Sequence, residues 1–120
     1  MANILIIDDS RTSRKILRGI FEEDGHTIVG EAKDGEEGCE MYAQLRPDIA
    51  TMDITMPKLD GVEALKKIKA DFPDAKVVMV TAAGQKHNML EAVQNGASEF
   101  LTKPFDVAQI KETIKKLIEG

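Results

Sequence analysis

Short apolar runs punctuate the chain, and between them hydrophobic residues recur with helical rather than alternating spacing. Ile4-Leu5-Ile6-Ile7 is continuously apolar and rich in β-branched residues, the pattern of a strand buried on both faces. Similar segments follow at Thr27 to Val29, Ile49 to Met52, Lys76 to Val80 and, shorter and more polar, Glu99 to Thr102. Ser10 to Glu23 puts Ile16, Leu17, Ile20 and Phe21 on one helical face, and Gly25 offers a stop. A second helix, Gly35 to Leu45, is weakened by Gly38 and closed by Arg46-Pro47. Gly61 to Asp71 aligns Val62, Leu65 and Ile68 ahead of Pro73, and Gln85 to Gln94 ends near Asn95-Gly96. The last helix, Asp106 to Glu119, starts on a capping-box pair, Asp106 and Gln109, and turns Val107, Ile110, Ile114, Leu117 and Ile118 inward.

Strict alternation of buried strand and amphipathic helix predicts parallel strands joined by right-handed crossovers, with helices on both faces. The architecture is therefore a three-layer α/β sandwich. No linker, repeat or low-complexity segment interrupts it, so residues 1–120 read as a single domain. A chain of this length buries roughly two-thirds of its unfolded surface. Ligands of such sheets bind beyond the carboxyl ends of the strands, where the strand order reverses. The residues that follow each strand therefore carry most of the functional information.

Composition narrows the class. Hydrophobic residues are 42% and charged residues 31% of the chain, the balance of a globular protein rather than a disordered or membrane-spanning one. The formal net charge of −5 argues against nucleic acid as a partner, because phosphate backbones select concentrated basic surfaces. Cys39 is the only cysteine, which rules out an internal disulfide and suits a reducing cytoplasm. The first charged residue, Asp8, arrives after too short an apolar run for a signal peptide, and no run is long enough to span a bilayer.

Four of the five strands are followed by reactive side chains. Asp8-Asp9-Ser10 follow the first, Asp53 the third, Thr81 the fourth and Lys103 the fifth. Singly, each has an ordinary explanation: aspartates before a helix cap it, Asp53 suits a turn, Thr81 caps the next helix and Lys103 is a solvated loop residue. Together they fall on one rim of the expected sheet. Three carboxylates and one ammonium carry a formal charge of about −2, which a hard divalent cation with oxygen ligands would neutralise. Mg²⁺ is the natural candidate, since it keeps waters and pairs carboxylates with phosphoryl oxygens. His26 and His87 lack a second ligand at metal spacing, Cys39 fits a buried helical face, and Lys66, Lys67 and Lys69 form a solvated one.

These residues, in this order, resemble a known family. Ile6-Ile7-Asp8-Asp9-Ser10, Asp53-Ile54-Thr55-Met56-Pro57 with Asp60-Gly61, Val80-Thr81-Ala82, Gly96-Ala97 and Lys103-Pro104-Phe105 match the receiver domains of two-component response regulators, closest to their single-domain chemotaxis members. The resemblance covers essentially the whole chain and implies a flavodoxin-like (βα)5 fold with sheet order 2-1-3-4-5. It implies that Asp53 accepts a phosphoryl group from a phosphohistidine on a sensor histidine kinase. Asp9, Asp53 and the backbone carbonyl of Thr55 would bind Mg²⁺, with Asp8 acting largely through metal-bound water. Lys103 and the Thr81 hydroxyl would hold phosphoryl oxygens. Such a receiver assists its own phosphorylation and dephosphorylation without being an enzyme in the usual sense.

The resemblance further implies a switch in which Thr81 moves toward the phosphoryl group and Phe100 turns into the space it leaves. Many chemotaxis relatives carry tyrosine there, so an output contact through that hydroxyl is absent. Acyl-phosphate lifetime is tuned in the family two residues after the acceptor and two after the switch hydroxyl. Those positions are Thr55 and Ala83 here, and neither is charged or carries an amide to position water. The implied output is a monomer that, once phosphorylated, binds a flagellar motor switch component through helix four, strand five and helix five, with a phosphatase as a further partner. A phosphorelay intermediate and a receiver belonging to a longer transcription factor are the alternatives. The end at Glu119-Gly120, straight after helix five and without a basic helix-turn-helix, favours the stand-alone versions. A phosphatase of the haloacid-dehalogenase type would need an acid where Ser10 stands, and Asp8 and Asp9 would repel a flavin phosphate.

Overall fold

The computed structural model describes residues 1–120 as five strands and five helices in strict alternation. The elements are β1 (Asn3–Ile7), α1 (Arg11–Glu23), β2 (Thr27–Ala32), α2 (Gly35–Leu45), β3 (Ile49–Asp53), α3 (Gly61–Asp71), β4 (Val77–Thr81), α4 (Lys86–Gln94), β5 (Glu99–Thr102) and α5 (Val107–Glu119). All neighbouring strands are parallel and the sheet order is β2-β1-β3-β4-β5, the flavodoxin-like arrangement.

Side-chain alternation along the strands divides the core in two. Leu5 and Ile7 of β1 join Met52, Leu65, Val77 and Met79 on one face, while Ile4 and Ile6 join Leu17, Phe21, Val78, Val80, Leu101, Ile110 and Ile114 on the other. Both sets are fully buried, which is why the first apolar run has no polar alternate. Four helices begin on a side-chain cap: Ser10, Asp34, Asp60 and Asp106 each accept a hydrogen bond from a backbone N–H three residues on.

Three expectations need correction. β2 runs to Ala32 instead of stopping at Val29, because Gly30 lets α2 approach and Glu31 turns outward to Arg14 and Arg18. A Cβ at Gly30 would sit 2.5 Å from Met41 Cε. Ile16, Val107 and Ile118 are exposed, since each lies at the margin of its helix's apolar stripe while Leu17, Ile20, Phe21, Ile110 and Ile114 occupy its centre. Lys66 and Lys69 are tethered rather than free: Lys66 Nζ reaches Glu63 and Glu91, and Lys69 Nζ donates to the carbonyls of Pro73 and Ala75.

Candidate functional site

Strand termini define the site. Asp53 is the last residue of β3 and Thr81 the last of β4, whereas Asp8 and Asp9 follow β1 and Lys103 follows β5. β1 and β3 are adjacent although β2 lies between them in sequence, so their carboxyl ends form the crevice where strand order reverses. Backbone bonds draw the rim together. Asp8 N–H donates to the Ala32 carbonyl at 3.0 Å, Ile54 N–H to Val80 at 3.1 Å, and Lys103 N–H to Thr81 at 2.8 Å.

Asp8, Asp9 and Asp53 converge, with a carboxylate oxygen of each within 4.8 Å of the others. Asp8 and Asp53 are buried and Asp9 is exposed. Asp8 Oδ1 accepts from Ser10 N–H at 2.8 Å, and Arg14 Nη1 donates to the Asp8 carbonyl at 2.8 Å. Asp8 Oδ2 is buried without a hydrogen-bond donor. Lys103 Nζ stands 3.5 Å from Asp8 Oδ2 and 3.7 Å from Asp53 Oδ2, ionic reach that leaves the pair short of a hydrogen bond. One ammonium therefore faces three acids.

Burial, with the Asp8 charge next, pushes the Asp53 carboxyl up to about 6, against the opposing pull of Lys103 and of the nearby Thr55 backbone N–H. An acceptor-only cluster with an orphaned buried oxygen is the donor set a hard cation suits, and Asp8, Asp9 and Asp53 are placed so that they could hold a metal ion. Proton and a bound metal would then compete for Asp53. Mg²⁺ affinity is expected to fall about tenfold from pH 7 to pH 5, measurable by titration calorimetry. Without metal, the folded state binds more protons than the unfolded one between the ordinary carboxyl range and about pH 6. Stability present below pH 4 is therefore lost as pH rises through 6, by roughly 3 kcal/mol, as urea midpoints will show.

Other expected site residues take less central positions. Thr81 is buried on the rim, Thr55 is exposed at its mouth, and Phe100 is half-buried against the core cluster that contains Met79 and Ala92. His26 is structural: Nδ1 accepts from Ala2 N–H at 3.1 Å, and Nε2 lies 3.5 Å from Asp24. Cys39 is half-buried with Sγ 3.6 Å from the Ala64 carbonyl. Arg14 and Gln85 escaped the sequence reading. Arg14 is one of several basic residues on α1, and the partner of Gln85, Thr55, lies 30 residues away with no local signal. A concavity of about 620 Å³ between Arg46, Phe72, Pro73 and Leu117 lies at the amino ends of the strands. Charge density, not cavity size, marks the site.

A 2-1-3-4-5 sheet whose switch point holds an acidic pocket beside a lysine is the arrangement that the receiver-domain resemblance implies. A model of the response regulator receiver domain matches residues 4–115, and the chain belongs to that family, whose members are switches rather than ordinary enzymes. Among curated relatives, "Protein CcdB" of Bacillus subtilis is 42% identical over 98% of both chains. The chemotaxis protein CheY of Thermotoga maritima is 40% identical over 95% of both. Among solved structures, the CheX–CheY–BeF3–Mg²⁺ complex from Borrelia burgdorferi aligns with a TM-score of 0.92 at 36% identity, over 97% of this chain and 88% of that one.

Proposed function

We infer that the protein is a response regulator that accepts a phosphoryl group on Asp53 from a sensor histidine kinase and changes its partner when it does. The reading is carried by one observation: the only lysine on the acidic rim bridges Asp8 and Asp53, the two buried carboxylates of that rim. In the transfer, an Asp53 carboxylate oxygen forms a bond to phosphorus as the P–N bond to the donor imidazole breaks, and that electron pair leaves with the imidazole. Lys103 Nζ offsets charge on the transferring oxygens, and the Thr81 hydroxyl donates to one of them. Asp8, Asp9, Asp53 and the Thr55 carbonyl would hold Mg²⁺, which neutralises the acids and the incoming phosphoryl charge. Burial of Asp53 keeps bulk water away from the acyl phosphate until hydrolysis resets the switch.

The output reading is chemotactic, with a flagellar motor switch component as target, and it rests on the CheY relatives. α4, β5 and α5 form the surface that Phe100 would bias, and Leu90, Val93 and Val107 are exposed on its helices. Residues 1–120 act in this reading as one receiver unit in the cytoplasm, where Cys39 stays reduced. Acetyl phosphate with Mg²⁺ is expected to add one phosphoryl group that peptide mapping assigns to Asp53, and chelating the metal should prevent it. Modification at another residue, or equal modification without metal, overturns the assignment.

A further inference from the structure

α4 is the one helix that starts without a side-chain cap. Gln85 occupies its N-cap position, but its amide bonds elsewhere. Oε1 accepts from Ala82 N–H at 2.6 Å and Nε2 donates to Thr55 Oγ1 at 2.7 Å. The two partners belong to the loops that leave β3 and β4, the strands that end in Asp53 and Thr81. Thr55 lies two residues after Asp53, so hydrogen bonds through Gln85 join the loop that begins at Asp53 to the residue after Thr81.

An oxyanion carried by Asp53 and met by the Thr81 hydroxyl needs further donors, and the next one along β4's exit is the Ala82 N–H. That single proton cannot serve both the anion and Gln85 Oε1 at full strength. We propose that Gln85 is a latch whose amide holds the Ala82 N–H and the Thr55 hydroxyl together in the resting protein, and that an oxyanion on Asp53 displaces it to gain the Ala82 donor. Displacement unties the 82–85 loop from Thr55 at the residue where α4 begins, which links occupancy of the pocket to the start of that helix. Gln85 thus supplies an amide beside Thr55, where neither Thr55 nor Ala83 has one. It is a positioning residue, since it acts on the anion through Ala82 and Thr55.

The proposal rests on Asp53 as the phosphoryl acceptor, and beryllofluoride with Mg²⁺ tests the two ideas separately. Gln85→Met keeps the side-chain length without its hydrogen bonds and is expected to tighten beryllofluoride binding about threefold to tenfold, the equivalent of one net hydrogen bond no longer surrendered. Thr55→Val, which leaves the backbone carbonyl in place, should shift affinity in the same direction and add nothing in a Gln85→Met background. In the parent, the Gln85 side-chain amide and Ala82 backbone amide resonances should both move on saturation. Parent-like affinity in Gln85→Met, with or without a lower urea midpoint, overturns the latch, as do Gln85 amide resonances that stay fixed while the site fills. A parent protein that takes up no beryllofluoride overturns the acceptor reading and the latch with it.

Discussion

Asp53→Asn is expected to abolish phosphoryl uptake from acetyl phosphate while making the metal-free protein more stable. Asparagine has the shape of aspartate but lacks the carboxylate nucleophile, so no acyl phosphate forms and mass spectra should show only unmodified chain. The stability gain follows from the same burial that suits Asp53 to its role. Burial and the neighbouring Asp8 and Asp9 charges disfavour its ionised form, with Lys103 offsetting only part of this. Removing that charge at pH 7 without Mg²⁺ should raise the unfolding free energy by about 1 to 3 kcal/mol, read from urea midpoints. Adding Mg²⁺ should narrow the difference, since the parent gains a ligand that the variant binds weakly. A variant that is modified as well as the parent moves the acceptor elsewhere.

Gly61→Ala should have the opposite effect on stability and disturb the same pocket. A Cβ at Gly61 would land on the Asp53 carbonyl oxygen and within 2.7 Å of Ile54 Cα. These are backbone atoms at the end of a central strand and cannot swing aside. Gly61 N–H also donates to the Ile54 carbonyl at 2.7 Å, which fixes the start of α3 against β3. Alanine gains up to about 1 kcal/mol in helix propensity, but forcing the two backbones apart costs about 1 to 3 kcal/mol or more, so packing wins. We expect a net loss in the urea midpoint and weaker Mg²⁺ binding as Asp53 is displaced. Gly19→Ala is the internal control. Gly19 lies within α1 with nothing inside 4 Å of an added Cβ, so the same exchange should stabilise the protein by roughly 0.5 to 1 kcal/mol and leave metal binding alone.

The two glycines show where sequence reading succeeds and where it stops. Both stand in helical segments, and residue type alone does not distinguish the open position from the one that touches a strand. Apolar positions behave similarly. Leu17 and Ile16 are neighbours on one predicted face, yet α5 and the sheet cover the first and leave the second wet. The stripe is visible locally, but its margins depend on how neighbouring helices lean against it.

The order of elements was determined by the chain itself, because strand and helix periodicities and helix caps are short-range properties that Ile4 to Ile7, Ser10 or Asp106 express without distant partners. The placement of Asp8, Asp9, Asp53, Thr81 and Lys103 on one rim follows from that order, since parallel strands bring all their carboxyl ends to the same side. Tertiary structure alone decided the rest. The Asp53 carboxyl rises to about 6 only because the fold buries it beside Asp8. Gln85 reaches Thr55 only because β3 and β4 are neighbours. Gly61 must lack a side chain only because α3 begins against the end of β3. Burial, charge proximity and backbone contact are relations between residues far apart in the chain, and they exist only once the sheet has closed around them.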